Sequence, residues 1–183
     1  MSMHFQQARL RTRPPDRHLR VFRAADFRVI DGVNEGDPLS DAADLLHEDV
    51  YALRNGAVPA RLSLAVPMGA GPLQVGRDSA VGRPGAQVFL DCLVTFIGST
   101  GEAFEALVVV ETDPEGLVSE VYLAPLAALE PGMGYTLIAI DRAGAAARFA
   151  GGVLRTDTIA PVSAGSPDGP GSDHPVRVLD PFA

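Results

Sequence analysis

Short apolar stretches alternate with turn-forming residues along most of the chain. Between positions 19 and 155, Gly, Pro, Asn and Asp interrupt the apolar stretches at intervals of about 8–12 residues. This spacing is typical of a β-sandwich or a β-barrel, in which short antiparallel strands follow one another through tight turns. The pattern therefore predicts an all-β, mainly antiparallel fold of about nine to ten short strands.

Two long apolar stretches, 87–98 and 102–111, flank the turn sequence Gly98-Ser-Thr-Gly101 and predict a central hairpin. Val108, Val109 and Val110 are continuous and β-branched, which favours a strand buried on both faces. The dipeptide Asn55-Gly56 predicts a second hairpin, because this pair suits the tight turn between two strands.

Helix is expected in one or two short turns at most. The stretch 40–48 begins with Ser40, a suitable N-cap, and 124–130 is rich in Ala and Leu. Residues 145–149 are predicted to continue the series of strands.

The ends of the chain differ from its centre in composition. Residues 1–18, with Pro14-Pro15, are expected to form an Arg-rich arm, and residues 158–183 a Gly/Pro/Ser-rich C-terminal tail. Residues 19–157 are expected to fold as a single β domain. Within the tail, residues 176–182 (Val-Arg-Val-Leu-Asp-Pro-Phe) are apolar enough to dock on a surface.

The net charge and its distribution along the chain indicate which classes of partner are expected. The formal net charge is −8, and all fifteen cationic side chains are arginine. Residues 1–28 carry +5, which leaves −13 on the rest. Because an acidic body repels nucleic acids and anionic membranes, neither is expected as a partner. The N-terminus lacks the apolar segment of a signal peptide, so the expected location is the cytoplasm, or outside the cell by export without such a signal.

Chemistry-bearing residues form no familiar motif. Cys92 is the single cysteine and lies in an apolar stretch, so we expect a packed, unreactive thiol with neither an internal disulfide nor a zinc–cysteine site. No cofactor-binding motif is present, and no catalytic residues are assigned. A hydrolase that uses His47 with Cys92 or Ser79 is an alternative of low weight, because sequence alone does not bring those residues together.

An acidic loop offers oxygen ligands. Asp31, Asn34, Asp37 and Asp41 are weak candidates for calcium, which prefers six to eight hard oxygens. Their spacing differs from that of an EF-hand, and a plain acidic turn is the expected alternative.

Several stretches together resemble the N-terminal module that precedes the Hint (hedgehog/intein) domain in alphaproteobacterial proteins. The resemblance covers roughly residues 18–150 and rests on these segments: 29–45, 49–53, 75–85, 123–129 and 135–141. The stretch that corresponds to the start of a Hint domain, 149–159, has neither Cys nor Ser, and the 24 residues that follow are too few for such a domain. Self-cleavage is therefore not expected, and the resemblance supplies no reaction.

These observations favour a non-catalytic β module that binds an unknown partner protein or a second copy of itself, as a homodimer. The exposed strand edges of such a fold would need to be covered. The alternative is a β-sandwich that binds a small ligand or a carbohydrate, for which Tyr51, Tyr122 and Tyr135 would have to supply an exposed aromatic surface.

Overall fold

The computed structural model describes residues 16–39, 49–67 and 71–150. It shows the expected all-β, antiparallel architecture. The nine strands are β1 (Arg17–Arg23), β2 (Phe27–Asp31), β3 (Val50–Leu53), β4 (Ala60–Ala65), β5 (Leu73–Val75), β6 (Gln87–Gly98), β7 (Ala103–Thr112), β8 (Val118–Pro125) and β9 (Gly134–Asp141). One helical element is a single 3₁₀ turn, Ala24–Asp26, and the other is helix α1 (Gly144–Ala150).

Six strands close into a barrel. Their order is β6-β5-β4-β1-β8-β7, and pairing between β7 and β6 completes the ring. The remaining strands continue from β6 in the order β9-β3-β2 and form an outer sheet. Every pairing is antiparallel, as expected for strands joined by short connections.

The predicted central hairpin is confirmed. Strands β6 and β7 pair from Gln87↔Thr112 to Ile97↔Ala103, and the amide of Gly101 donates to the carbonyl of Gly98 at 2.9 Å. The buried run Val108–Val110 is also confirmed, because its side chains point alternately into two different cores.

The two cores lie on opposite faces of the barrel wall. The barrel core contains inward residues of all six barrel strands, among them Leu62, Leu64, Leu107 and Val109, each fully buried. The second core lies between that wall and the outer sheet, and Tyr51, Phe96 and Leu137 contribute to it. The outer sheet therefore covers apolar side chains that the barrel leaves on its outside.

Two sequence predictions about turns and helices are wrong. Asn55-Gly56 does form a turn, in which the amide of Ala57 donates to the carbonyl of Arg54, but β3 and β4 do not pair with each other. The turn instead carries the chain from the outer sheet to the barrel. Residues 124–130 are not helical, because Pro125 ends β8 in extended conformation and the amide of Leu126 continues the ladder by donating to Glu105.

The predicted strand at 145–149 is a helix. The sequence Ala145-Ala-Ala has high helical propensity, and the carboxylate of Asp141 accepts hydrogen bonds from the amides of Ala143 and Gly144 at its start. Ala145 and Phe149 pack into the barrel core. The predicted helical turn at 40–48 lies outside the described residues.

The free edge of β2 is covered by the chain itself. After the turn at 32–36, residues 37–39 return alongside β2, where the amide of Val29 donates to the carbonyl of Asp37 and the amide of Leu39 donates to the carbonyl of Phe27. Pro38 lies in this return and has no amide proton to offer a further strand. The edge of β2 from Phe27 to Val29 is thus occupied and offers no pairing surface to a further strand. Within the described ranges, no helix has the length and apolar character needed to cross a membrane.

Candidate functional site

The acidic loop is built around a carboxylate that the sequence analysis did not select. Asp49 is 1% exposed, and its side chain accepts hydrogen bonds from the amide of Val33 at 2.9 Å and from Asn34 Nδ2 at 3.3 Å. Asn34 therefore holds the loop closed, while Asp31 and Asp37 are exposed on its surface. Asp41 lies outside the described residues. Within 16–39, 49–67 and 71–150, no group of three or more His, Cys, Asp or Glu side chains is arranged to hold a metal ion.

The candidate nucleophiles are engaged in the fold. Cys92 is fully buried in the second core. Burial, the hydrogen bond to Asp91 and the charge of Asp91 together raise the pKa of Cys92 to about 12, although Arg142 opposes them. The hydroxyl of Ser79 donates to the carbonyl of Val81 at 2.7 Å, lies 3.3 Å from the carbonyl of Arg61 and accepts from the amide of Ser63 at 3.0 Å. His47 lies outside the described residues.

The three tyrosines are buried, so they offer no exposed surface for stacking a sugar ring. Tyr51 is 2% exposed, Tyr122 1% and Tyr135 7%. Tyr51 and Tyr135 pair across β3 and β9 in the second core, whereas Tyr122 lies in the barrel core. The exposed aromatic surface that carbohydrate binding would require of these three tyrosines is therefore not present.

A second buried carboxylate lies inside the barrel. Glu111 is 2% exposed, and its side chain accepts hydrogen bonds from the Tyr122 hydroxyl at 2.9 Å and from the amide of Arg83 at 3.1 Å. Burial and Glu111 raise the pKa of Tyr122 well above its usual range. A sequence signal existed, because the two-residue period of β7 places Glu111 on the same face as Leu107 and Val109. This cluster fixes the loop at 82–86 to the barrel.

An apolar cleft opens between two loops, one following β3 and one following β8. Its volume is about 230 Å³. Phe22 and Leu53, both from the second core, lie beneath it. The remaining lining residues are small or rigid apolar residues together with one cation: Ala57, Pro59, Pro125, Ala127, Ala128, Leu129, Pro131 and Arg20.

Backbone hydrogen bonds hold both walls of the cleft. The amide of Gly132 donates to the carbonyl of Leu53 at 2.9 Å, which ties the two loops together. The hydroxyl of Tyr135 accepts a hydrogen bond from the amide of Glu130 at 2.7 Å, and the amide of Arg54 donates to the carbonyl of Asp26 at 2.8 Å. The cleft is therefore preformed, and its three prolines further restrict its walls.

A pair of arginines borders the cleft. Arg20 and Arg61 are direct neighbours across β1 and β4, and both are exposed. A second hollow of about 280 Å³ lies beside the first and shares Arg20 and Pro59 with it. Two like charges facing each other across a strand pair are unfavourable in the absence of an anion. The surface thus combines an apolar hollow with local positive charge on an acidic protein.

Comparison with known proteins finds no matching family model, no matching curated protein and no matching solved structure.

Proposed function

We propose that this chain is a non-catalytic β module that binds a segment of a partner protein in the cleft beside Arg20. The observation that carries the proposal is the continuity of the apolar cleft with the Arg20–Arg61 pair. Small-molecule sites usually enclose about 300–1,000 Å³, so a cleft of about 230 Å³ better suits a few side chains of a peptide.

The architecture of the walls supports this use. Binding costs less free energy when the receptor is already in its bound conformation. The wall residues are Ala and Pro with one Leu, which lose little side-chain entropy when a ligand covers them. Val58 and Leu126, adjacent to lining residues in the sequence, are 76% and 37% exposed and extend the apolar surface outwards.

Peptide display tests the proposal without knowledge of the natural partner. A library of random peptides is selected on the full chain, and the enriched peptides are measured against two variants. Ala128→Arg fills the cleft, whereas Ala146→Arg introduces the same side chain at an exposed position of α1 that lines neither hollow. We expect enriched peptides to bind the wild-type chain and Ala146→Arg alike and to bind Ala128→Arg at least about tenfold more weakly, a loss of 1.4 kcal/mol. Enriched peptides that bind Ala128→Arg as tightly as the wild-type chain would refute the proposal.

Self-association is the second candidate, and a different surface favours it. Ile30 and Ile138, on β2 and β9, are 47% and 45% exposed. A face of the outer sheet with apolar residues of this size can pack against the same face of a second copy. Light scattering over a wide range of protein concentration tests it, with Ile138→Lys as the variant. A strict monomer at every concentration contradicts it.

The resemblance to the module upstream of Hint domains remains a proposal about context. The segments that carry it include β2, β3 and β9 and the loop at 75–85, so they gather in the outer sheet and next to the Glu111 cluster. A structure of such an upstream module tests it. We expect a six-stranded barrel with three outer strands in the same order, and a different strand order contradicts the relationship.

A further inference from the structure

The arginine pair indicates that the natural occupant of the cleft carries a negative charge. Arg20 and Arg61 form no ion pair with any residue in the described ranges, although Arg61 donates a hydrogen bond to the carbonyl of Asp78 at 2.7 Å. Most of the other arginines with described surroundings are paired, as in Arg23 with Glu120 and Arg142 with Asp91. An anionic group placed between Arg20 and Arg61 would relieve their mutual repulsion.

The cleft adds a requirement for apolar side chains beside that negative charge. Phe22 and Leu53 form its floor, and Arg20 stands at its border. A fitting segment therefore has an acidic residue directly next to large apolar residues, and it should be extended so that both hollows are reached. Residues 176–182 of this chain contain such a run at their end, because Asp180 lies between Leu179 and the pair Pro181-Phe182, and the one cation of the segment, Arg177, precedes Asp180 by three positions.

The connection to this segment is long enough. Helix α1 ends at Ala150, and the carbonyl of Phe149 accepts a hydrogen bond from Arg17 of β1. Arg17 precedes Arg20 by three strand residues, roughly 10 Å. Residues 151–175 separate α1 from this segment by 25 positions, and a flexible chain of that length has a root-mean-square span on the order of 25–30 Å. The segment can therefore reach the cleft from the end of α1.

We infer that residues 176–182 dock in the cleft of the same chain, with Asp180 between Arg20 and Arg61 and with Leu179 and Phe182 against the apolar floor. The inference rests on the proposed function, because it assigns an occupant to the same cleft. A tether of this length gives an effective concentration on the order of 1 mM, so docking with an intrinsic Kd below about 1 mM keeps the cleft filled for most of the time. A partner segment must then displace the chain's own segment.

A single tryptophan tests the inference in the full chain. The protein has no tryptophan, so Phe182→Trp introduces the only one, and Val162→Trp gives a matched reporter outside the docking segment. We expect Phe182→Trp to emit at shorter wavelength than Val162→Trp, with acrylamide quenching several-fold weaker. Arg20→Glu and Asp180→Arg should each abolish the difference, and the two together should restore part of it, because the introduced pair attracts while Arg61 still repels the introduced arginine. Arg20 is exposed, and urea unfolding of each variant verifies that the fold is retained.

Three outcomes overturn the inference. The first is equal emission and quenching for the two reporters. The second is a shift in the Phe182→Trp reporter that survives Ala128→Arg, which would mean docking elsewhere. The third is a shift that depends on protein concentration, which would assign the segment to the cleft of a neighbouring copy. If any of these occurs while displayed peptides still require an open cleft, the inference fails and the proposed function stands. If the displayed peptides also bind Ala128→Arg as tightly as the wild-type chain, both the inference and the proposed function fail.

Discussion

The carboxylate of Glu111 accepts a hydrogen bond from the Tyr122 hydroxyl at 2.9 Å, and both side chains are buried inside the barrel. The amide of Arg83 approaches the other carboxylate oxygen, and the guanidinium of Arg83 lies 3.5 Å from it. A carboxylate in this position is compatible with an apolar core because donors surround it.

Tyr122→Phe should therefore destabilise the protein. The substitution removes a hydrogen bond to a buried carboxylate and adds no compensating contact, so the free energy of unfolding is expected to fall by about 1.5–3 kcal/mol. Urea unfolding followed by circular dichroism measures the change. An unaltered unfolding midpoint would mean that Glu111 is satisfied without Tyr122.

Two glycines of the acidic loop provide a matched pair of substitutions. Gly32 and Gly36 both have positive φ, 128° and 97°, so alanine is strained at either position. A Cβ at Gly32 would overlap Asp49 Oδ1, whereas a Cβ at Gly36 would meet no atom within 4 Å. We expect Gly36→Ala to cost about 1–2 kcal/mol and Gly32→Ala distinctly more. Equal losses in urea unfolding would show that Asp49 does not fix the loop.

Cys92 should make the protein sensitive to alkali. The thiol has an ordinary pKa of 9.0 when unfolded and a pKa of about 12 in the fold. Between these values the unfolded chain loses a proton that the folded chain keeps, so the contribution of Cys92 to stability is constant well below pH 9 and is lost as the pH rises from 9 towards 12. Thermal unfolding measured from pH 8 upwards tests this, with Cys92→Ala as the control that should show a smaller loss per pH unit. If Cys92→Ala lost stability with pH as steeply as the wild type, Cys92 would not be the cause. The loss would then be assigned to Tyr122, because its pKa is raised too.

A chain of aromatic rings joins the outer sheet to the barrel wall. Phe104 stacks on Phe96 at 5.6 Å between ring centroids and meets the edge of Tyr135 at 5.4 Å. Phe104→Leu removes two aromatic pairs, and we expect a loss of about 1–3 kcal/mol. Phe89→Leu is the control, because Phe89 is 48% exposed and should change stability by less than about 0.5 kcal/mol. Similar losses for both variants would argue against a specific role of the aromatic pairs.

The sequence predicts a strand correctly where the pattern of apolar residues fits a strand and no other element. Val108–Val110 and the turn at 98–101 define the β6–β7 hairpin through local composition alone. The closure of the barrel and the position of the outer sheet depend on which distant strands pair, and no local pattern carries that information. Residues 145–149 of α1 are wrongly predicted as a strand, because so short an apolar stretch fits either period.

The cleft could not be predicted from the sequence, because it too depends on which distant strands pair. Its walls are Ala57 and Pro59, which follow the turn at Asn55-Gly56, and the segment from Pro125 to Pro131, so they lie where local rules predict a hairpin and a helix. Asn55-Gly56 does turn the chain, but tertiary pairing decides where the flanking strands go. The Arg20–Arg61 pair arises only from the register of β1 against β4.

Strand β6 contributes to both cores, and this has a consequence for how the protein unfolds. Gln87 and Val88 at its start pair with β5 in the barrel and its second half pairs with β9 in the outer sheet, while β7 pairs with it from Gln87 to Ile97. Neither the barrel nor the outer sheet can open to solvent without disturbing β6, which both of them share. Amide protons of the barrel and of the outer sheet should therefore exchange with heavy water through one shared global opening, and the slowest of them should report the same opening free energy.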